Sequence, residues 1–572
     1  MVDVAKLLDP VSKARRRRSA PLVLEIDLTE GLSDEAPADP LGQLLARRHQ
    51  RLSDLIEGIR RGAHDPRVVA LAARIDGRPL GFARVQELRA AVVAFRAAGK
   101  PTVAWSESFG DFGPGTVPYY LATAFEEIAL LPTGLVGLTG LGMHTTFFRS
   151  AIDKLGVEYQ AGARHEYKNA VNVFTETGYT DAHREAAGRI VESLGEQVVE
   201  GIAEGRGLTP ERVRELTDRG PLLAGEALET GLVDRLAYRD EVYADLLGRF
   251  GDGARPGASA RLQYVTRYHH RHAVASRVST ARSRDHIGLI SGIGVIATGR
   301  SRRSPLGGGA TMGSDTVTAA FRAAREDDTV KAVVFRVDSR GGSAVASDII
   351  RREVALTRDA GTPVIVSMGD FAGSGGYYIA LGGDLIVAQP GTLTGSIGVY
   401  TAKPVLTGLM DRLGVATDSI DGAAHAGMFG TDRGFSDSEW ERINAMLDSI
   451  YRDFTGKVAE ARGMTPEQVH EVARGRVWTG RDARDRGLVD ELGGLETAVR
   501  LAREKAGMPG AALRPYPSAG PLERLIPAES SEDRAAAPQG RLDAWGSLAE
   551  ISARLGLPAA GPLAMPGSWE IG

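Results

Sequence analysis

Along this chain, short solid blocks of hydrophobic residues alternate with longer amphipathic stretches. DPRVVALAARID (65–76) and DDTVKAVVFRVD (327–338) are brief, rich in β-branched residues and mostly apolar at successive positions, the pattern of strands buried on both faces. A stretch of helical spacing follows each block, RVQELRAAVVAFRAAG (84–99) and SDIIRREVALTRDAG (347–361), and then a second apolar block, PTVAW (101–105) and PVIVSM (363–368). Strand–helix–strand order with apolar strands predicts right-handed βαβ units and a parallel sheet. Later, 181–205 and 436–462 read as long helices. TPE at 209–211 and at 465–467 starts a further helix each time, with Thr as N-cap and Pro at the first helical position.

These pairs are copies of one another. YYLA (119–122) recurs as YYIA (377–380), 258 positions later, and at the same shift DKLGV (153–157) meets DRLGV (411–415). GLTPERV (207–213) matches GMTPEQV (463–469), and GLVDRL (231–236) matches GLVDEL (487–492), both shifted by 256. A register kept over so long a span marks a tandem duplication. The expected organisation is a basic tail (1–19), a first copy (20–249), a linker (250–284), a second copy (285–507) and an Ala/Pro/Gly-rich tail (508–572). The linker's His269, His270 and His272 have no carboxylate at ligand spacing, so that stretch is read as a surface or docking strand. The tail is expected to be extended, and its end, LAMPGSWEIG with Trp569, is a candidate docking segment.

Composition narrows the chemistry. The 572 residues include no cysteine, which excludes disulfides, thiolate catalysis and Cys-based zinc sites. A net charge of −4 gives no reason to expect nucleic-acid binding. The basic run Arg15–Arg18 is followed only by a short apolar stretch broken by Glu25 and Asp27, so neither a signal peptide nor an N-terminal membrane span is expected. That cluster is read first as a solvated tail, with peripheral contact to anionic lipid as the alternative. The longest charge-free run, Ile128–Phe148, is interrupted by Pro132, threonines and glycines and is read as a buried strand–loop–helix passage.

In a duplicated chain, the informative positions are those where one copy keeps a reactive group and the other has lost it. In the second copy Ser374 lies in FAGSGGYYIA, at a strand-to-helix turn with glycine on either side, where a hydroxyl can stand exposed. Thr116 occupies the same register in the first copy, followed by Val117 and Pro118. The second copy also has DSRGGSA (338–344), a Gly-Gly turn able to aim N–H groups at an oxyanion, whereas the first has DGRPLGF (76–82). A serine nucleophile needs a base, and no His lies between Ser374 and His425. The first copy carries Lys168 in HEYKNAVNVF, where the second has Ala426. A buried lysine can be neutral and act as that base, with Ser396 in TGSIGV as a candidate for orienting the amine. Lys403 is the rival base within the second copy.

Together DSRGGS, FAGSGGYYIA, TGSIGV, HEYKNAVNVF and the paired GLVD elements resemble the signal peptide peptidase A (protease IV) family in its long tandem form, over about residues 20–500. The resemblance implies an α/β fold of tandem ClpP/crotonase-like domains built from repeated ββα units. It implies a serine endopeptidase with Ser374 as nucleophile, Lys168 as general base, Ser396 positioning the lysine, and Gly342 and Gly375 as oxyanion donors. No cofactor or metal is implied. The implied partners are peptides, namely signal-peptide remnants and other short or unfolded apolar segments, and copies of the chain itself in a homo-oligomer, with a tetramer favoured. Arg340 departs from the family by standing where its turn has proline, and the family's N-terminal membrane anchor is not found here, so a cytoplasmic location is expected. The alternatives are a crotonase-like acyl-CoA enzyme and a non-catalytic membrane or secretion scaffold.

Overall fold

The computed structural model describes residues 20–33, 50–77, 80–250, 260–279, 285–303, 310–516, 541–542, 563–565 and 570–571. The expectations for Arg15–Arg18 and Trp569 lie outside the described residues. The chain forms two compact units, one of Met1–Leu141 with Gly195–Arg282, the other of Gly142–Leu194 with Ser283–Ile571.

The first unit is built on a six-stranded, wholly parallel sheet in the order Arg235–Leu236, Glu127–Leu130, Thr102–Ser106, Val68–Arg74, Leu22–Asp27, Arg261–Tyr264. Its apolar strands are solid because both faces are covered. Leu71 and Ala73 enter one cluster with Val85, Leu88 and Phe95 of the helix Phe82–Ala97, while Ala70 and Ala72 enter another with Val242 and Leu246.

The second unit repeats the plan. Ala512–Pro515, His286–Ile293, Val330–Ser339, Val364–Gly373 and Leu385–Ala388 pair in parallel in that order. The far end of Val364–Gly373 pairs instead with Leu393–Gly395, which carries antiparallel Val477–Thr479. Here too alternate residues divide between faces: Val333, Phe335 and Val337 on one, Ala332 and Val334 on the other. The long helices are Asp181–Arg206 and Asp437–Arg462, and Thr209 and Thr465 cap the helices that follow, each accepting a backbone N–H.

Two local expectations are corrected. Residues 265–279 form a helix, not a docking strand, and its His270 lies 3.2 Å from Asp54, a carboxylate supplied by the helix Leu52–His64. Side-chain bonding to Asp54 raises the His270 pKa. The Ile128–Phe148 passage is a strand, turns and two short strands, and its helix begins only at Arg149. Among the described residues no helix is long and apolar enough to cross a membrane.

Candidate active site

Ser374 stands where Val364–Gly373 ends and the helix Gly375–Ala380 begins. Its backbone is at φ 56° and ψ −116°, a conformation costly for a residue with a side chain. The surroundings hold it there: the Ser374 N–H donates to Gly395 O at 2.7 Å, and its carbonyl accepts from Tyr378 N at 2.9 Å. Ser396, at φ 51°, is held in the same manner, its N–H donating to Arg476 O at 2.7 Å.

Lys168 reaches this point through a two-stranded ladder. Glu158–Arg164 pairs antiparallel with Val399–Val405, with Arg164 opposite Val399, so the residues after Arg164 are delivered beside the segment that begins at Ser396. Gly475 packs directly on the Lys168 backbone, where a side-chain carbon would not fit. Lys168 Nζ lies 2.8 Å from Ser374 Oγ, 3.0 Å from Ser396 Oγ and 3.0 Å from Ser396 O. All three side chains are buried, Lys168 with 2% of its surface exposed. Burial alone holds the Lys168 amine well below the usual lysine range, since removal from water penalises the ammonium form. A neutral amine in this position can donate N–H to Ser396 and keep its lone pair for the Ser374 proton.

Lys403 is directed elsewhere. Its ammonium donates to Met428 O at 2.9 Å and lies 3.9 Å from the centre of the Phe435 ring.

The Gly-Gly turn lies alongside. Gly341 and Gly342 have φ of 100° and 156°, and a carbon added to Gly342 would strike the Ile296 backbone. Ser339, which sequence reasoning passed over, pins this turn: its hydroxyl donates to Gly294 O at 2.6 Å and accepts from Gly341 N–H at 3.1 Å. Gly375 approaches so closely that a carbon added to it would lie 3.2 Å from Gly342 N. As the first residue of its helix, Gly375 has an N–H without an intrahelical acceptor. Arg340 stacks 3.9 Å from the Phe371 ring centre, and burial lowers its pKa despite the charges of Asp338 and Asp370. The five residues singled out in the sequence are therefore gathered in one unit. Ser339, Gly475 and the Glu158–Arg164 ladder carried no sequence signal because each acts through a neighbour distant in the chain.

The model of peptidase family S49 matches residues 94–248 and again 357–509. The chain is 31% identical to the chloroplastic serine protease SPPA of Arabidopsis thaliana over 470 residues, which is 82% of this chain and 68% of that protein. It is 33% identical to protease 4 of Salmonella typhi over 466 residues, 80% of this chain and 72% of the relative. Among solved structures, a ClpP1 mutant from Listeria monocytogenes aligns over 40% of this chain and 99% of its own, at 14% identity and a TM-score of 0.24.

Proposed function

Since this chain belongs to peptidase family S49 and is a serine protease of that family, we propose that it is an endopeptidase working through a Ser374–Lys168 dyad. The observation that carries the reading is the 2.8 Å approach of a buried lysine amine to the hydroxyl of a serine with a strained backbone. Neutral Lys168 takes the Ser374 proton as Oγ attacks the substrate carbonyl. The oxyanion develops against the N–H groups of Gly342 and Gly375. The lysine then returns the proton to the leaving amine, and a water, deprotonated by the same amine, hydrolyses the acyl-enzyme. Ser396 orients the amine through its hydroxyl and carbonyl.

The substrates we propose are short or unfolded apolar segments, signal-peptide remnants among them, bound extended along the Gly341–Gly342 edge. Assembly into a homo-oligomer, favoured as a tetramer, and peripheral contact with a membrane belong to the same proposal. A serine-directed acylating probe followed by peptide mapping tests it. The label is expected on Ser374 and is expected to vanish in Lys168→Ala. Turnover that survives replacement of Ser374 would overturn the reading.

A further inference from the structure

The C-terminal segment is not absorbed by the peptidase reading. Residues 563 and 564 form a strand antiparallel to Gly341–Gly342, with Ala564 opposite Gly341 and Leu563 opposite Gly342. The Met565 N–H donates to Arg340 O at 2.7 Å. In an antiparallel ladder that alternation turns the Gly342 N–H toward the carbonyl of residue 563. The Met565 side chain is buried and rests on Gly373, the residue just before the nucleophile, where any added side-chain carbon would collide with its Sδ. Beyond it, Glu570–Ile571 pairs antiparallel with Met143–His144, so the segment is held on both sides. A piece of this chain thus lies extended on the backbone edge that offers an oxyanion donor, with an unbranched apolar side chain seated beside Ser374, in the way a peptide adds to a sheet edge.

We propose that the segment around Leu563–Met565 is the built-in occupant of the cleft, an intramolecular competitor that peptide substrates must displace. The proposal rests on the peptidase reading for what it competes with, but not for the contact itself. No covalent step is involved. The segment is tethered, so it competes at a fixed effective concentration. If it fills the cleft about nine-tenths of the time, the apparent KM is raised about tenfold with kcat untouched. Gly373 then sets specificity, because its missing side chain makes room for a methionine-like group.

Two full-length variants test this. Met565→Pro removes the N–H that bonds Arg340 together with the apolar side chain, and Met565→Asp keeps the N–H but places a charge against Gly373. Each is compared with the unaltered chain for kcat and KM on an unstructured reporter peptide. Each is also made in a Ser374→Ala background and titrated with a fluorescent synthetic peptide, AAGPLAMPGSW, followed by anisotropy. The expected result is a KM several-fold lower at unchanged kcat, and synthetic peptide bound about tenfold tighter by both variants than by the unaltered tail. Equal KM and equal peptide affinity, or no binding in any form, would overturn the proposal while leaving the peptidase reading intact. Tighter binding with no hydrolysis by any form would uphold the occupant and sink the dyad.

Discussion

The turn at Gly115–Thr116 and the turn at Gly373–Ser374 descend from one ancestor and have diverged in opposite senses. In the second unit the serine is forced to φ 56° and its hydroxyl meets an amine. In the first, Thr116 has relaxed into the first turn of the helix Thr116–Ala122, and its hydroxyl donates to Gly140 O at 2.8 Å. Around these turns the scaffold has hardly changed. Tyr119 donates to Leu232 O at 2.7 Å, and Tyr377 to Leu488 O at 2.9 Å. Asp234 accepts from Ile128 N at 2.7 Å and pairs with Arg206, and Asp490 accepts from Ile386 N at 2.7 Å and pairs with Arg462. The comparison teaches that the repeated GLVD and YY motifs maintain the sheet in both units, whereas the positive φ of Ser374 has no counterpart at Thr116.

The comparison breaks first at the dyad. Ser374→Ala and Lys168→Ala are each expected to cut peptide turnover by about 10²–10⁴-fold or more while remaining folded, and Lys403→Ala is expected to keep it. Full activity in Lys168→Ala, measured as kcat/KM on a reporter peptide, would remove the chemical meaning of the asymmetry. The acid side of the pH–rate profile sharpens the same point. Lys168 works only when neutral, so kcat/KM should fall as pH drops through its lowered pKa, well below the lysine reference of about 10.4. The native state holds this amine neutral at pH values where the unfolded chain protonates it, so Lys168 detracts from stability at pH below about 10.4, fully below its folded pKa and progressively less as pH rises from there. Lys168→Met is accordingly expected to raise the midpoint of thermal unfolding near neutral pH by about 2–4 °C while abolishing turnover. An unchanged or lower midpoint would mean that the bonds to Ser396 outweigh the cost of burial.

Smaller effects probe the scaffold. Asp234→Ala and Asp490→Ala should each cost about 1–3 kcal/mol in denaturant unfolding, because each strands a backbone N–H and takes the carboxylate from an arginine. A large difference between the two would show that the units do not rely on this motif equally. Smallest of all, Thr116→Ser in a Ser374→Ala background should restore no turnover. Recovered hydrolysis would show that the first unit keeps a working site.

Much of this was legible in the sequence. The duplication, the parallel sheets and the long helices could be read because solid apolar blocks, capped helix starts and matched registers are local signals. Ser374, Gly342 and Gly375 stood out by their glycine context, and Lys168 by its loss from the second copy. The sequence did not reveal how the lysine arrives, since the Glu158–Arg164 ladder joins strands far apart in the chain. Ser339 looked like an ordinary turn residue, and its role depends on Gly294, which lies on another strand's end. The stretch holding His269 and His270 was misread as a strand; it is a helix, and the Asp54 carboxylate that faces these histidines comes from a segment far back in the chain.

The proposed dyad joins residues 206 positions apart, and the lysine is the earlier. During synthesis the proposed base therefore emerges long before the proposed nucleophile, as a hydrated ammonium with no appetite for a proton. Only when the later segment has been made and has packed over it does water leave and the ammonium give up its proton. Under the proposed mechanism, a chain whose later segment has not yet packed against Lys168 would have no means of cutting its neighbours.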